Sequence, residues 1–330
     1  MKTALPISVI ICAYTANRWA DLLAAVRSVQ KQRTSPHEII VVIDHNHRLW
    51  QRAVQALPGV HVIENRQQQG LSGARNSGIA VAQGAIIAFM DEDAVAESTW
   101  LSYVAAAYQQ PQVMGVGGAI TATWETGRPA WFPNEFDWVV GCTYHGMPTS
   151  PMAVRNLIGC NMSFRRELFA AIGGFRHGMG RIGTRPVGCE ETEFCIRAQQ
   201  RWPERVLLYQ PLARVYHHVP AQRATWRYFY ARCYAEGLSK AQVTQTVGMQ
   251  DGLANERRYT LHTLPQGALR GLRAGCWHGE IGGFGRTAAI TTGLATTTAG
   301  YVAGQVQRLF TKAKATTHPG LLSTAKEPTR

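Results

Sequence analysis

The stretch AIIAFMDEDA, residues 85–94, joins a short apolar run to three consecutive carboxylates. The six apolar residues have the length and composition of a buried strand, and Asp91, Glu92 and Asp93 follow directly. Acids at this spacing most often form a solvated turn. Here they end a buried strand, and the next helix is expected only from about residue 98. This arrangement favours a site for Mn²⁺ or Mg²⁺, which prefer oxygen ligands.

The residues around this stretch predict an α/β fold. Other apolar runs rich in β-branched residues lie at residues 7–12, 38–43 and 60–64. Stretches of helical composition alternate with them, at residues 19–32, 49–57 and 72–82. Such alternation indicates a mostly parallel sheet covered by helices on both faces, with ligands at the carboxyl ends of the strands. The strand ends at Ala13, Tyr14 and Asp44 are therefore expected to meet Asp91 and Asp93 in one crevice.

The composition limits the class of protein. The chain has 330 residues, 45% of them hydrophobic, and a formal net charge of +13, which suggests anionic partners. Its seven cysteines are odd in number and scattered, and none forms a C-x-x-C pair. Neither a disulfide framework nor a zinc knuckle is indicated, so we expect a reducing cytoplasm.

The glycine-containing segment ENRQQQGLSGARNSG, residues 64–78, could be mistaken for a dinucleotide-binding loop. It lacks the G-x-G-x-x-G pattern, and no such loop follows the first strand, which disfavours a nicotinamide enzyme. Two interpretations stay open. The loop containing Gly70 and Arg75 binds a diphosphate, or it is an ordinary helix start.

Two further segments carry ionisable side chains. GCEETEFCIR, residues 188–197, sets three glutamates in the first turn of a predicted helix. They either stabilise the helix terminus, with Glu193 pairing with Arg197, or provide a general base whose pKa is raised by crowding. VYHHVP, residues 215–220, places His217 and His218 at a strand end, where one of them could complete a metal site.

The last quarter of the chain is basic. Residues 246–330 contain 10 Lys and Arg against 4 Asp and Glu, a net charge of +6. Residues 287–307 carry no charge, but they hold too many Thr and Gly for a stable membrane span. One interpretation is peripheral attachment to an anionic membrane through this segment. The other is a helical pair packed on the catalytic domain, with Leu261, Leu264, Leu269 and Leu272 as its buried face.

Together these motifs resemble the inverting family-2 glycosyltransferases of the GT-A fold. The family's motifs are matched, in order, by PISVIICAYTANR (6–18), EIIVVIDHN (38–46), GLSGARNSGIAVAQGAIIAFMDEDA (70–94), GCNMSFRRELFAAIGGF (159–175) and CEETEF (189–194). The segments VPAQRATW (219–226) and YFYARCYAEGLSKAQV (228–243) are similar to a subgroup that includes glucuronosyltransferases acting on lipid-linked sugars. The whole resemblance covers about residues 5–220.

The resemblance implies a role for each matching residue. Glu191 takes the position of the catalytic base, although the family usually has Asp there. Position 43 is Ile where many members carry an acid, so the nucleotide base that is selected can differ. The implied binding residues are Ala13, Tyr14, Arg18, Asp44, Gly70, Arg75, Asp91 and Glu92 for the nucleotide-sugar, and Asp91, Asp93 and His217 for Mn²⁺ or Mg²⁺. Those expected on the acceptor side are Trp131, Asn161, Arg165 and Glu190.

The expected organisation follows from the resemblance. Residues 1–245 form the catalytic domain, with a nucleotide-binding half (1–120) and an acceptor-binding half (121–245). Residues 246–311 form a helical extension, and residues 312–330 a disordered tail. The implied reaction is the metal-dependent transfer of a sugar, with inversion, from a nucleotide-diphosphate sugar to a saccharide, lipid-linked or small-molecule acceptor. A UDP-sugar is the expected donor. The expected location is the cytoplasm, with peripheral contact at the inner face of the membrane as an open addition.

Two other functions were weighed against this one. A sugar nucleotidyltransferase would need a glycine-rich triphosphate loop after the first strand, and the segment CAYTANR has none. A nucleic-acid-binding protein would fit the basic charge, but the arginines are dispersed and no binding motif is present. We therefore expect no nucleic-acid partner.

Overall fold

The computed structural model describes residues 5–179, 188–248 and 258–317, with side chains described as far as Gln307. The strands are β1 (Ile7–Ala13), β2 (Glu38–Ile43), β3 (His61–Glu64), β4 (Ile86–Asp91), β5 (Ala94–Ala96), β6 (Val113–Trp124), β7 (Met152–Val154), β8 (Asn161–Arg165) and β9 (Val206–Val219). Within the described ranges these nine strands form one sheet in the order β3-β2-β1-β4-β8-β6-β9-β5, and β7 also pairs with β9.

Helices cover the sheet and continue into a C-terminal extension. They are α1 (Trp19–Gln30), α2 (His47–Ala56), α3 (Leu71–Val81), α4 (Trp100–Ala107), α5 (Arg166–Ile172), α6 (Glu190–Arg201), α7 (Trp226–Val247), α8 (Leu264–His278) and α9 (Ile281–Thr317). Short 3₁₀ turns lie at Ala16–Arg18, Asn134–Val140 and Ala221–Arg223, and a π-helical turn at Tyr259–Thr263 leads into α8.

The first half of the sheet is parallel, as predicted. β1 lies between β2 and β4, and every residue of β1 is buried. Its side chains alternate between two apolar layers, so that Val9 packs with α1, α2 and α4 while Ile10 packs with α3, α5 and α6. Both faces of the sheet are therefore covered, and the carboxyl ends of β1 to β4 open on one edge.

The second half is mixed, and this changes where several residues lie. β8 runs antiparallel to β4, so Asn161 is opposite Met90 at the functional edge and Arg165 is opposite Ile86 at the other edge. β5, directly after Asp93, pairs antiparallel with β9 and brings His217 opposite Ala94. The short β5–β9 pairing thus brings His217 next to the acidic turn, although His217 lies more than 120 positions further along the chain.

The extension packs tightly through glycines. A Cβ at Gly237 of α7 would come within 2.1 Å of the Thr297 carbonyl oxygen of α9, and one at Gly300 equally close to the Tyr234 carbonyl oxygen. On α8, Leu264 is buried, but Leu269 and Leu272 are exposed, and so is Leu261 in the π-helical turn before it. The predicted helical pair is present, whereas the prediction that all four leucines form its buried face is wrong. Glycines at α8 positions 267, 271 and 275 take the buried face instead.

Helix α9 continues further than expected. It extends to Thr317, six residues into the segment that was predicted to be disordered from residue 312. The local sequence contains Lys312, Ala313, Lys314 and Ala315, which favour a helix and explain the difference. Residues 318–330, the remainder of that predicted tail, lie outside the described residues. In the part of the chain that the structure describes, no helix is both long and apolar enough to cross a membrane.

The packing of α9 against α7 leads to a stability prediction. Gly237→Val should lower the free energy of unfolding by about 1–3 kcal/mol, because the added side chain meets the backbone of α9 and cannot be accommodated by a rotamer change. Urea unfolding followed by circular dichroism measures the loss. Ala299→Val, which adds a branched side chain on the exposed face of α9, is the control and should have little effect. Equal stabilities of the two variants would contradict the close contact.

Candidate active site

A cavity of about 430 Å³ lies at the carboxyl ends of β1, β2 and β4. Residues of α6 form another part of its wall, and residues of α7 and α9 complete the lining. The predicted site residues on its walls are Ala13, Tyr14, Arg18, Asp44, Arg75, Asp91, Glu92, Asp93, Glu190, Glu191 and His217. The crevice that was expected from the strand ends is therefore present and contains side chains from widely separated parts of the chain.

The acidic turn after β4 is held by cations. Arg18 Nη1 lies 2.8 Å from Glu92 Oε1 and 3.1 Å from Asp93 Oδ2. His217 Nε2 lies 3.1 Å from Asp93 Oδ1, and Arg223 Nη2 lies 3.6 Å from Asp93 Oδ2. Glu92 and Asp93 are thus held in fixed positions, unlike the acids of a solvated turn.

These contacts and the burial of the turn shift the pKa values of Glu92 and Asp93 in opposite directions. Burial opposes ionisation of Asp93, but the positive charges of His217, Arg223 and Arg18 outweigh it and lower the pKa of Asp93 below its ordinary value. Burial raises the pKa of Glu92 to about 7, and the charge of Asp93 adds to the increase while Arg18 opposes it. Asp93 is therefore the permanent anion of this pair.

The residues predicted to hold a metal are gathered at this point. Ligand atoms of Asp91, Cys160 and His217 lie within 4.8 Å of one another, and Asp93 lies against His217. Among the described contacts, the nearest partner of the Asp91 carboxylate is Arg75 Nη2, at 3.6 Å. The Asp91 side chain is 31% exposed. His218 is directed away, with Nδ1 3.2 Å from Asp21. Of the two histidines, His217 is the one at the acidic turn.

Asp44 and Gly70 form a second fixed point on the cavity. One carboxylate oxygen of Asp44 accepts a 2.6 Å hydrogen bond from Asn65 Nδ2, and the other accepts a 2.9 Å bond from the Gly70 backbone N–H. Gly70 has a φ of 124°, which a residue with a side chain rarely adopts. Gly70 itself is not on the cavity wall, and it acts by orienting Asp44.

Arg75 lies in a different environment from the predicted diphosphate contact. Its side chain is buried, with Nη1 2.7 Å from Glu190 Oε1 and Nη2 3.2 Å from the Gly159 carbonyl oxygen. Its guanidinium also lies 3.6 Å from Asp91. Arg75 therefore connects α3 to α6 and to the end of β4, and its contacts are with protein carboxylates.

Helix α6 gives its three first-turn glutamates different environments. Glu190 binds Arg75, and fully buried Glu193 binds both Arg176 and Arg197 at 2.9 Å. Among the described residues, no basic group forms an ion pair with Glu191, which faces the cavity. Burial, followed by the negative charge of Glu190, raises the pKa of Glu191 to about 8. Glu191 is thus the member of the triplet that is suited to accept a proton near neutral pH.

Three of the predicted acceptor-side residues are engaged elsewhere. The Asn161 amide is buried, accepting from Trp100 Nε1 and donating to the carbonyls of Ala119 and Ala213. Arg165 donates to the carbonyls of Tyr108, Gln110 and Val113 at the opposite edge of the sheet. The Trp131 ring stacks on Trp226 at a centroid distance of 3.9 Å. Their acceptor-side roles stay predictions, and in this structure the three side chains make these packing and hydrogen-bond contacts.

Two residues beside the acidic turn were missed by sequence reasoning. Arg223 contacts Asp93, and its segment VPAQRATW had been noted only for its resemblance to a subgroup. Cys160 lies next to Asp91 and His217, but its thiol gave no pattern in the sequence. Burial raises the pKa of Cys160 well above its ordinary value, so the thiol stays protonated.

Comparison with known proteins agrees with this geometry. The model of glycosyl transferase family 2 matches residues 8–173. A glucosyl-dolichyl phosphate glucuronosyltransferase of Haloferax volcanii is 32% identical over 238 residues, which are 71% of this chain and 76% of that protein.

Solved structures support the fold. A mannosyltransferase, PcManGT from Pyrobaculum calidifontis, in complex with GDP-Man and Mn²⁺, superposes with a TM-score of 0.59 at 16% identity over 94% of this chain and 89% of its own. GalNAc-T7 with UDP, GalNAc and Mn²⁺ has a TM-score of 0.52 at 18% identity, over 79% of this chain and 55% of its own. The predicted GT-A fold is confirmed.

The buried Arg75–Glu190 pair allows a test of its structural role. Arg75→Met should cost about 3–5 kcal/mol of unfolding free energy, because it leaves Glu190 buried without its cation. The double variant Arg75→Met/Glu190→Gln should recover part of that loss, since the buried charge is removed as well. Urea unfolding of the wild type, of each single variant (Arg75→Met and Glu190→Gln) and of the double variant gives the coupling energy between the two side chains. Strictly additive effects would argue against the pair as a structural link.

Proposed function

Because this chain belongs to glycosyltransferase family 2 and is a glycosyltransferase, we propose that it transfers a sugar from a UDP-sugar to an acceptor hydroxyl with inversion at the anomeric carbon. The observation that carries the proposal is the cavity itself. One wall holds the acidic turn with His217, and the other holds Glu191 with its raised pKa. A donor diphosphate at the first wall and an acceptor at the second would meet between them.

The residues at the acidic turn fit a divalent cation such as Mn²⁺. The carboxylates of Asp91 and Asp93 and the imidazole of His217 are donors that suit Mn²⁺, and the protonated thiol of Cys160 is a poorer one. Asp91, Asp93 and His217 would hold the ion. When bound, it would neutralise negative charge on the leaving nucleoside diphosphate.

Other side chains have roles that do not depend on the ion. Arg18 keeps Glu92 and Asp93 in position, and Arg75 does the same for Asp91 and Glu190. Glu191 would take the proton from the acceptor hydroxyl as its oxygen attacks the anomeric carbon from the side opposite the diphosphate. The proton ends on Glu191, and the sugar–phosphate bond breaks as the new glycosidic bond forms.

The part of the cavity lined by the extension and α7 supports a lipid-linked sugar as the acceptor. Arg155, Arg232 and Lys240 line the cavity together with Glu236, which pairs with both Arg232 and Lys240, and the net positive charge of these four side chains would suit an acceptor that carries phosphate. Apolar groups of the extension, Leu264 and Leu294 among them, line the same region. The relative from Haloferax volcanii is named for a dolichyl phosphate acceptor, which agrees with this chemistry. Transfer to such an acceptor would take place at a membrane surface, which we propose is its cytoplasmic face.

The first test concerns the metal ligands. Asp91→Asn keeps the shape of the side chain but removes its charge. It should weaken Mn²⁺-dependent UDP binding by more than the loss of about 10–100-fold that is typical when a residue supporting a metal ligand is changed. Isothermal titration calorimetry with and without Mn²⁺ measures the effect. Glu167→Gln, a charge removal at an exposed position outside the cavity, is the matched control. Unchanged affinity of Asp91→Asn for Mn²⁺ and UDP would refute the assignment.

A second test separates the base from its neighbours. Glu191→Gln should retain donor binding and lose about 10²–10⁴ in the rate of transfer, because an amide cannot accept the proton. Glu193→Gln, the same change two positions along the helix, should instead lower stability, since Glu193 is bound by Arg176 and Arg197. Full transfer by Glu191→Gln, or loss of transfer without loss of folding in Glu193→Gln, would show that the base is misassigned.

The pKa of Glu191 also predicts a pH dependence. The base must be ionised, so kcat/KM should rise about tenfold per pH unit below pH 8 and level off above it. Initial rates across this range, with saturating Mn²⁺ at each pH, provide the profile. Glu191→Gln should lack this limb, and a wild-type rate that is flat between pH 6 and pH 9 would contradict the assignment.

A further inference from the structure

The outer face of the extension is unusually apolar. In the described residues, eight of the fifteen exposed large apolar side chains belong to residues 258–307. They include Leu261 in the π-helical turn before α8, and Leu269 and Leu272 on α8 itself, whereas the α8 glycines at 267, 271 and 275 are buried. Soluble surfaces rarely concentrate such side chains, and contiguous patches usually mark a binding surface.

The turn between α8 and α9 is the most exposed part of this face. Trp277 is 77% exposed and Ile281 is 86% exposed, and Phe284 follows one turn later. The row continues along α9 with Val302 and Val306. Tryptophan with an exposed ring is characteristic of the boundary between water and a lipid bilayer.

The threonines of α9 do not make this face polar. The exposed Thr291 and Thr292 are positioned so that each hydroxyl donates to the carbonyl four residues earlier, at distances of 3.1 and 2.6 Å. Their donors are satisfied within the helix, so little hydrogen bonding to water is lost when the face is covered.

A basic groove adjoins the apolar turn. It has a volume of about 580 Å³ and is lined by Arg128, Arg270, Arg273, His278 and Arg286, together with Glu135 and Glu280. Glu135 and Glu280 bind Arg270 and Arg286, and Asp137 binds Arg128, so that Arg273 is the arginine of the groove without an ion pair among the described contacts. Basic groups beside apolar ones match the headgroups and acyl chains of an anionic bilayer.

We propose that the outer face of residues 258–307 docks on a bilayer that contains anionic lipid, with Trp277, Ile281 and Phe284 inserted among the headgroups and Arg273 near their phosphates. A lipid surface fits better than a folded partner because the apolar side chains form a long row along two helices with a basic groove beside it. The sequence attributed membrane attachment to basic charge alone, whereas the structure assigns the larger part to the apolar turn. This docking does not depend on the proposed reaction.

Flotation of the full chain with vesicles of 70% phosphatidylcholine and 30% phosphatidylglycerol tests the surface. The wild-type chain should float at low salt, and Trp277→Gln/Ile281→Gln should lower the partition coefficient by about tenfold or more. Arg273→Gln should lower it about fivefold. The control is Met152→Gln/Leu212→Gln, which removes two exposed apolar side chains elsewhere on the molecule and should leave it unchanged.

Each other outcome overturns the proposal. Absence of wild-type binding, or wild-type binding by Trp277→Gln/Ile281→Gln, would exclude this surface, and binding that resists both high salt and carbonate would indicate a span. A change from dimer to monomer in the double variant, seen by light scattering, would identify a second copy of this chain as the occupant. Mn²⁺-dependent UDP binding is measured in parallel, and its retention in the double variant separates loss of docking from failure of the proposed function.

Discussion

The carboxylate of Asp93 is the point on which the cavity depends. Its partners come from two distant parts of the chain: Arg18 from the turn after β1, and His217 and Arg223 from the end of β9 and the turn that follows it. A buried charge is costly unless it is paired, so these segments can close around the sheet edge only with Asp93 ionised between them. The same contacts that stabilise the fold therefore fix the positions of residues that line the cavity.

Helix α6 shows how identical side chains acquire different properties. Its first turn contains three glutamates whose chemistry is the same in the sequence, and the surrounding structure differentiates them through their partners. Arg75 binds Glu190, and Arg176 with Arg197 binds Glu193, while Glu191 keeps only the cavity and a negatively charged neighbour. The difference arises from tertiary contacts, and no property of the triplet alone would have selected Glu191.

Features that depend on local sequence could be predicted, and those that depend on long-range pairing could not. The strands of the parallel half and the acidic turn were apparent because hydrophobic runs and polar strand ends are local signals. The antiparallel course of β8, which buries Asn161 and carries Arg165 to the far edge of the sheet, leaves no trace in their spacing, so their contacts could not be predicted. The stacking of Trp131 on Trp226 could not be predicted either, because the two residues are 95 positions apart. Arg223 reaches Asp93 only through the pairing of β5 with β9.

The close packing of α9 on α7 has a consequence for how this protein can diversify. Residues Leu294, Thr297, Thr298 and Tyr301 form part of the cavity wall, although they lie more than 200 positions after the acidic turn in the chain. The glycines at 237 and 300 hold the two helices at a fixed separation, so the shape of that wall follows the side chains alone. Substitutions along one face of a single helix can therefore reshape this part of the cavity while every group at the acidic turn stays as it is. The shape of this wall and the charges of the acidic turn are inherited on separate segments of the chain.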